Sequence, residues 1–374
     1  MKITLIGFNC PCDFFLALLR KTHMGKIHLT PYLPTIGMLI FFITICGQKG
    51  YGYFTMNTIL MIIFLIGGFI LLVKGADVFV DGACGLSDKL KIPAYLVGLT
   101  VVALGTSLPE AAVSVTASLQ GSNEIAIGNV IGSNMFNTLV VLGASALFAP
   151  VAVKKNILKR DFPFCIAITV VMLALLLTMN GGQIALTRFD GAMLLLIFAV
   201  FMTVSIISGK REASCIPDAG DDAENKMPMW KCILFIIAGV AGVIIGGELT
   251  VKGAQELALK AGLSEKVVAL TVVAIGTSLP ELVTSIVAAR KKQNDIAVGN
   301  VMGSNVFNVL FILGISSTIS NINTDMNTVF DALILTGVLA VTYIFALINK
   351  KINRGAGIVM IVMYLGFTAY LLIR

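Results

Sequence analysis

Ten apolar runs, each long enough or nearly long enough to cross a bilayer, dominate this chain and limit its fold more tightly than any other feature. They are Thr58–Val80, Pro93–Leu119, Ile125–Phe148, Phe162–Met179, Ala185–Ile207, Cys232–Leu257, Val267–Ala289, Ile296–Ile319, Val329–Ile348 and Ala356–Ile373. A spanning helix needs about 20 mostly apolar residues. Lipid offers no water to backbone N–H and C=O groups, so each run must close its hydrogen bonds within itself as a helix. With 57% hydrophobic and 13% charged residues, the chain is too apolar for a soluble globular protein. The expected fold is all-α and integral to a membrane, with ten transmembrane helices.

The connection 208–231 is the longest and separates five runs from five. It carries Asp218, Asp221, Asp222 and Glu224, which read as a solvated acidic loop. Lysines and arginines favour alternate connections. Lys89 and Lys91 follow the first run. Lys154, Lys155, Lys159 and Arg160 follow the third, Lys210, Arg211, Lys226 and Lys231 the fifth, Arg290, Lys291 and Lys292 the seventh, and Lys350, Lys351 and Arg354 the ninth. Positive charge marks the cytoplasmic side, so loop 208–231 is expected inside and the C-terminus outside. This bias also accounts for the net charge of +7. No basic patch is interleaved with aromatics, so no nucleic-acid partner is expected, and the surrounding partner is membrane lipid. The seven cysteines are scattered and suggest no disulfide framework.

The expected organisation is an N-terminal extension over 1–55, a first five-helix half over 56–207, the loop 208–231 and a second half over 232–374. Within the extension, Thr35–Cys46 is short for a span and follows Pro31 and Pro34. It reads either as an eleventh helix or as a re-entrant or interfacial piece. Met56, immediately before the first run, is a candidate translation start; the intact mass of the native protein tests it.

Leu96–Gly143 aligns without gaps on Val267–Gly314 at a constant offset of 171 residues, with more than half the positions identical. Both copies contain Gly-Thr-Ser-Leu-Pro-Glu, at Gly105–Glu110 and Gly276–Glu281. Both contain Gly-Asn-x-x-Gly-Ser-Asn-x-x-Asn, at Gly128–Asn137 and Gly299–Asn308. Five runs is an odd number, so the second half enters the membrane from the opposite side. Inverted repeats with a midplane site are a transporter architecture, and helices two and seven are expected to break there.

Proline in a helix interior removes one backbone bond and clashes with the carbonyl four residues back. Pro109 and Pro280 therefore predict breaks near Ala103–Ser107 and in the matching stretch from Ala274. Freed carbonyls, the hydroxyls of Thr106, Ser107, Thr277 and Ser278, and the carboxylates of Glu110 and Glu281 make an oxygen-rich cluster. A charge at this depth costs at least about 2.5–3.5 kcal/mol, and no Lys or Arg lies mid-span in these segments. A bound cation is the most economical partner. Ser133 and Asn137, four apart, share a helical face, as do Ser304 and Asn308. Gly128, Gly132, Gly299 and Gly303 let helices approach closely. Carboxylate, hydroxyl, amide and carbonyl oxygens are hard ligands suited to Ca2+ and, by the same argument, Na+.

On these motifs the chain resembles the calcium/cation antiporter superfamily, and within it the sodium/calcium exchanger type, over most of 56–374. The resemblance implies alternating access, with Na+ and Ca2+ competing for overlapping midplane sites and no resident cofactor. Carried over residue by residue, the ligands are Thr106, Ser107, Glu110, Ser133, Asn137, Thr277, Ser278, Glu281, Ser304 and Asn308, with the carbonyls of Ala103 and Ala274. It also implies that the first helix of each half slides to gate access, and that a monomer suffices. Some members, notably the potassium-dependent branch, carry an acid where this chain has Asn308. Antiport driven by H+ or K+ is the alternative, and a cation channel a more distant one. An enzyme with Ser107 or Ser278 as nucleophile is not expected, because the repeats contain no histidine to act as base.

Overall fold

The computed structural model describes residues 58–180, 183–214, 227–262 and 274–373. Among these, eight helices are long and apolar enough to span a membrane, and one bent pair makes a further candidate. In chain order they are α1 (Thr58–Leu90), the bent pair α2 (Ala94–Thr106) and α3 (Leu108–Leu119), α4 (Asn123–Phe148), α5 (Ile157–Leu177), α6 (Arg188–Ser214) and α7 (Met229–Lys260). After these come α8 (Ala274–Thr277), α9 (Leu279–Arg290), α10 (Asn294–Ile319), α11 (Met326–Asn349) and α12 (Arg354–Ile373). The seventh apolar run is described only as α8 and α9. The extension, with its Thr35–Cys46 segment and the Met56 start, lies outside the described residues, as does the Asp218–Glu224 cluster.

Several boundaries differ from the sequence reading: α5 starts at Ile157 instead of Phe162, α6 runs to Ser214 instead of Ile207, and two further differences have visible causes. The first run was expected to end at Val80, yet α1 continues to Leu90. Asp77 and Asp81 do not end it, because both meet Lys291 at the end of α9, with Nζ 2.7 Å from Asp81 Oδ1 and 3.4 Å from Asp77 Oδ1. The fifth run was expected to be helical from Ala185, but Gln183–Leu186 is a strand. A capping box sets the true start of α6. Asp190 Oδ2 accepts from the Thr187 backbone N–H at 2.7 Å, and the Asp190 N–H donates to Thr187 Oγ1 at 3.3 Å. Asp325 caps α11 similarly, accepting from the Thr328 N–H at 3.0 Å.

Short antiparallel pairs tie distant connections together. β1 (Val151–Ala152) pairs with β5 (Lys351–Ile352), joining the connection after α4 to that between α11 and α12. β3 (Gln183–Leu186) pairs with β2 (Met179–Asn180) and with β4 (Ile322–Asn323), joining the α5–α6 connection to the one after α10.

The main core surrounds α4 and α10 and is closed by α5, α6, α11 and α12. Helix α10 is 94% buried over its apolar window, against 17% for α12, which makes α10 central and α12 peripheral. A second cluster joins α1, α2, α7 and α9. Helices α1 and α7, 33 and 32 residues long, are each about 50 Å at 1.5 Å per residue. That exceeds a hydrocarbon core of about 30 Å, so they cross it tilted or project beyond it.

They pack antiparallel along a glycine seam. A Cβ on Gly68 would lie 2.6 Å from the Thr250 nitrogen, one on Gly75 2.7 Å from the Gly242 carbonyl carbon, and one on Gly253 2.6 Å from the Leu65 nitrogen. Only glycine permits that backbone approach. The Lys260 ammonium hydrogen-bonds Thr58 Oγ1 at one end of the pair.

Candidate functional site

The proline rule holds where it was applied. Pro109 brings no N–H, so Gly105 loses its usual helical partner. The chain turns by 50° between α2 and α3, with Ser107 at φ −86° and ψ 7°. The ladder survives on both sides, from the Ser107 N–H to the Ala103 carbonyl (3.0 Å) and from the Ala111 N–H to the Ser107 carbonyl (3.1 Å). Ser278, at φ −92° and ψ 8°, separates α8 from α9 in the same manner. Glu110 and Glu281 therefore fall in the first turns of α3 and α9, where unpaired N–H groups and the helix dipole favour negative charge.

Both carboxylates are fully buried and are bonded crosswise between the repeats. Ser107 Oγ donates to Glu281 Oε1 at 2.9 Å, and Ser278 Oγ lies 2.9 Å from Glu110 Oε1. Ser278 Oγ is also 3.2 Å from Ser133 Oγ. Each half thus presents its serine to the other half's glutamate.

The remaining expected ligands lie on the same buried elements but are not all tied by hydrogen bonds. Ala103 opens the last turn of α2 and is buried, and Ala274 opens α8. Thr106 Oγ1 is 3.1 Å from Asn300 Oδ1. Asn308 Nδ2 donates to Asn134 Oδ1 at 3.0 Å. Six oxygens of the expected ligands are buried without a hydrogen-bond partner: Glu110 Oε2, Glu281 Oε2, Thr277 Oγ1, Ser304 Oγ, Asn137 Oδ1 and Asn308 Oδ1. The large majority of buried side-chain polar atoms in proteins are paired, so six unpartnered oxygens on one ligand set, two of them carboxylate oxygens, leave room for a bound ion; others, such as Thr284 Oγ1 and Thr342 Oγ1, lie outside the set. Among the described residues, no Lys or Arg forms an ion pair with either glutamate. Two carboxylates and four neutral oxygens, all hard donors, fit Ca2+ or Na+ as a substrate.

Two features escaped sequence reasoning. The first is backbone: α4 and α10 widen into π turns over Asn137–Val141 and Phe307–Ile312, at the amide ligands. Such bulges often accompany functional sites, and no composition signal announces them. The second is an outer polar ring. Asn129 Nδ2 donates to Ser114 Oγ (2.9 Å) and to the Glu110 carbonyl (3.3 Å). Asn300 Nδ2 donates to Ser285 Oγ (3.0 Å), and Asn305 Nδ2 to Thr138 Oγ1 (2.9 Å). The signal for these was present, since Asn129/Asn300, Asn134/Asn305 and Ser114/Ser285 all recur at the same offset. The glycine expectation holds for α10: a Cβ on Gly299 would lie 2.5 Å from the Tyr95 carbonyl oxygen, and one on Gly303 2.6 Å from Ala103 Cβ. Gly128 and Gly132 meet nothing within 4 Å among the described residues.

Comparison with known proteins identifies the architecture. The family profile described as sodium/calcium exchanger protein matches residues 60–207 and 231–373. The putative antiporter CaxA of Alkalimonas amylolytica is 34% identical, covering 82% of this chain and 96% of its own length. Sodium/calcium exchanger MaX1 of Methanosarcina acetivorans is 30% identical over 84% and 99%, respectively. Inner membrane protein YrbG of Escherichia coli is 35% identical over 79% and 92%. Among solved structures, the sodium-calcium exchanger NCX_Mj soaked with zero Na+ and Ca2+ superimposes with a TM-score of 0.74 at 31% identity. That match covers 84% of this chain and 99% of the other.

Proposed function

The chain belongs to the sodium/calcium exchanger family, and on that premise we propose that it is a secondary active antiporter exchanging Ca2+ for Na+ by alternating access. It is an integral, multi-pass membrane protein of a transporter family rather than an enzyme family. The observation that carries the reading is the crossed pair of Ser–Glu bonds, each leaving a second carboxylate oxygen buried without a partner.

In this reading ten helices form two inverted five-helix halves, and the ligands are the twelve residues expected from sequence. Ca2+ sits between Glu110 and Glu281, whose two charges balance it. Na+ occupies smaller subsites among Thr106, Ser107, Ser133, Thr277, Ser278, Ser304, Asn137 and Asn308 with the carbonyls of Ala103 and Ala274. Occupancy by either ion neutralises the buried charge and permits the access switch; an empty, doubly charged site opposes it, so transport stays obligatory exchange. The glycine seam supports α1 and α7 as the pair that moves, because it packs the two helices closely enough to shift together as one element. Both halves of one chain supply the site, so a monomer suffices. The lysine and arginine bias supports a cytoplasmic loop 208–231 and an outward C-terminus, and the similarity to an Escherichia coli inner membrane protein supports the inner membrane of a prokaryote.

The test is 45Ca2+ uptake into proteoliposomes loaded with Na+, then with K+, then with a proton gradient. Uptake that requires internal Na+ is the expected result. Uptake driven only by K+ or protons reassigns the coupling ion, and flux without any counter-ion indicates a channel.

A further inference from the structure

A threonine in a transmembrane helix ordinarily returns its hydroxyl hydrogen to the carbonyl four residues back. Thr100, Thr169, Thr250 and Thr336 all do so, at 2.7–2.9 Å. Thr106 departs from them. Its Oγ1 stands 3.2 Å from the Val102 carbonyl, 3.3 Å from the Ala103 carbonyl and 3.1 Å from Asn300 Oδ1. A hydroxyl has one hydrogen to give, so three acceptors compete for it.

The orientation of the Asn300 amide settles that it is one of these acceptors and not a donor to Thr106. In the first repeat, Asn129 turns Nδ2 toward both Ser114 Oγ and the Glu110 carbonyl. A backbone carbonyl only accepts, which fixes that amide. Asn300 places Nδ2 on Ser285, the equivalent of Ser114, so its Oδ1 faces Thr106 as an acceptor.

We propose that Asn300 is a positioning residue that draws the Thr106 hydrogen out of the helix, leaving the Ala103 carbonyl and the Thr106 oxygen lone pairs open to a monovalent cation. The inference rests on the exchanger reading of the site. It assigns Asn300 a task that its repeat equivalent lacks. Asn129 makes its bonds to Ser114 and to the backbone of Glu110, while Thr277 Oγ1 has no partner. The two threonine subsites are therefore unequal: Thr106 Oγ1 faces an amide acceptor, whereas Thr277 Oγ1 has no such hydrogen-bond partner. Neutral hydroxyl and carbonyl ligands suit Na+, whereas Ca2+ draws its charge balance from the two glutamates. Loss of Asn300 should weaken Na+ far more than Ca2+.

The experiment uses the full chain with Asn300→Leu, Thr106→Ala and the double substitution. Half-saturating Na+ and Ca2+ are measured in proteoliposome exchange, and ion-dependent protection against thermal unfolding is measured on purified protein. Asn300→Leu is expected to raise the Na+ requirement about ten-fold, the loss of about one oriented hydrogen bond, with Ca2+ within two-fold. Thr106→Ala should match it, and the double substitution should be no worse than Thr106→Ala. Asn300→Ser, one bond shorter, opens the Thr106 contact while leaving Ser285 a hydroxyl neighbour, and serves if the leucine variant does not fold. Additive single effects, or equal shifts for both ions, overturn the proposal and make Asn300 a structural residue only. Wild-type protein that no cation protects would overturn the exchanger reading and this inference with it. Wild-type protection by Na+ that Asn300 variants retain unchanged removes this inference alone.

Discussion

Adjacent glycines near the start of α1 allow the packing of α1 on α7 to be tested with a built-in control. Gly67 has nothing within 4 Å of the position a Cβ would take. At Gly68 that Cβ would sit 2.6 Å from the Thr250 nitrogen, 2.8 Å from Leu249 Cβ and 2.9 Å from the Gly246 carbonyl oxygen. Two of those neighbours are backbone and cannot turn aside, so the helices must separate by about 1 Å to reach ordinary van der Waals contact. The other seam contacts, at Gly75, Gly239 and Gly253, then lose their closest approach together. Overpacking of this kind costs about 1–3 kcal/mol. Alanine for glycine inside a helix returns about 0.5–1 kcal/mol, equally at both positions. Gly67→Ala should therefore stabilise by up to about 1 kcal/mol, and Gly68→Ala should destabilise by about 0–2.5 kcal/mol despite that gain. Melting of the two purified variants, read beside wild type in one detergent, measures the difference. If α1 and α7 slide to gate access during exchange, Gly68→Ala should also slow turnover while leaving half-saturating Ca2+ unchanged. Equal melting shifts for the two variants would falsify the seam argument.

Glu110→Gln and Glu281→Gln should each reduce Ca2+ exchange to the level of protein-free vesicles, because one remaining carboxylate cannot balance a divalent ion; appreciable exchange in either removes that glutamate from the site. Ser107→Ala and Ser278→Ala should weaken Ca2+ half-saturation to similar extents, a few-fold each, since each deletes one equivalent 2.9 Å bond to a carboxylate. A large effect in only one would show that the crossed pair does not act symmetrically. Lys291→Gln deletes the contacts to Asp77 and Asp81, where the lysine is 30% and Asp81 50% exposed. Its effect on melting should be at most about 1 kcal/mol and should vanish in about 1 M salt, where charges are screened within about 3 Å; a loss that persists at high salt indicates a packing role.

Much of this architecture is legible in the sequence because lipid leaves the backbone few choices. Most span boundaries lie within a few residues of the apolar runs, and Pro109 marks a break that the structure places at Ser107. What escapes depends on partners that local sequence does not contain. Val80 is a reasonable end for a bilayer-length helix, and α1 runs on to Leu90 where Lys291, two hundred residues away, meets its aspartates. Ala185 looks like the start of a span until Ile322 and Asn323 pair with its neighbourhood as strands. The π turns at Asn137 and Phe307 have no compositional mark.

The repeat itself shows the deepest limit. Asn129 and Asn300 are the same residue in the same motif, each with a serine at the equivalent position, Ser114 or Ser285. Alignment therefore predicts the same role for both. Their bonds differ, one to the Glu110 backbone and the other to the Thr106 hydroxyl, because each asparagine meets surroundings supplied by different helices. Duplication thus provides two copies of the ligands, and tertiary contact makes them inequivalent. An exchanger that must accept both a divalent and a monovalent ion in one cluster benefits from that inequivalence. A strictly symmetric site would offer two identical neutral subsites around the carboxylates, with no means of weighting one toward Na+. If the proposed exchange reading holds, contacts between repeats such as Asn300 with Thr106 are where substitutions should separate the two ion affinities, whereas substitutions at the two glutamates should not.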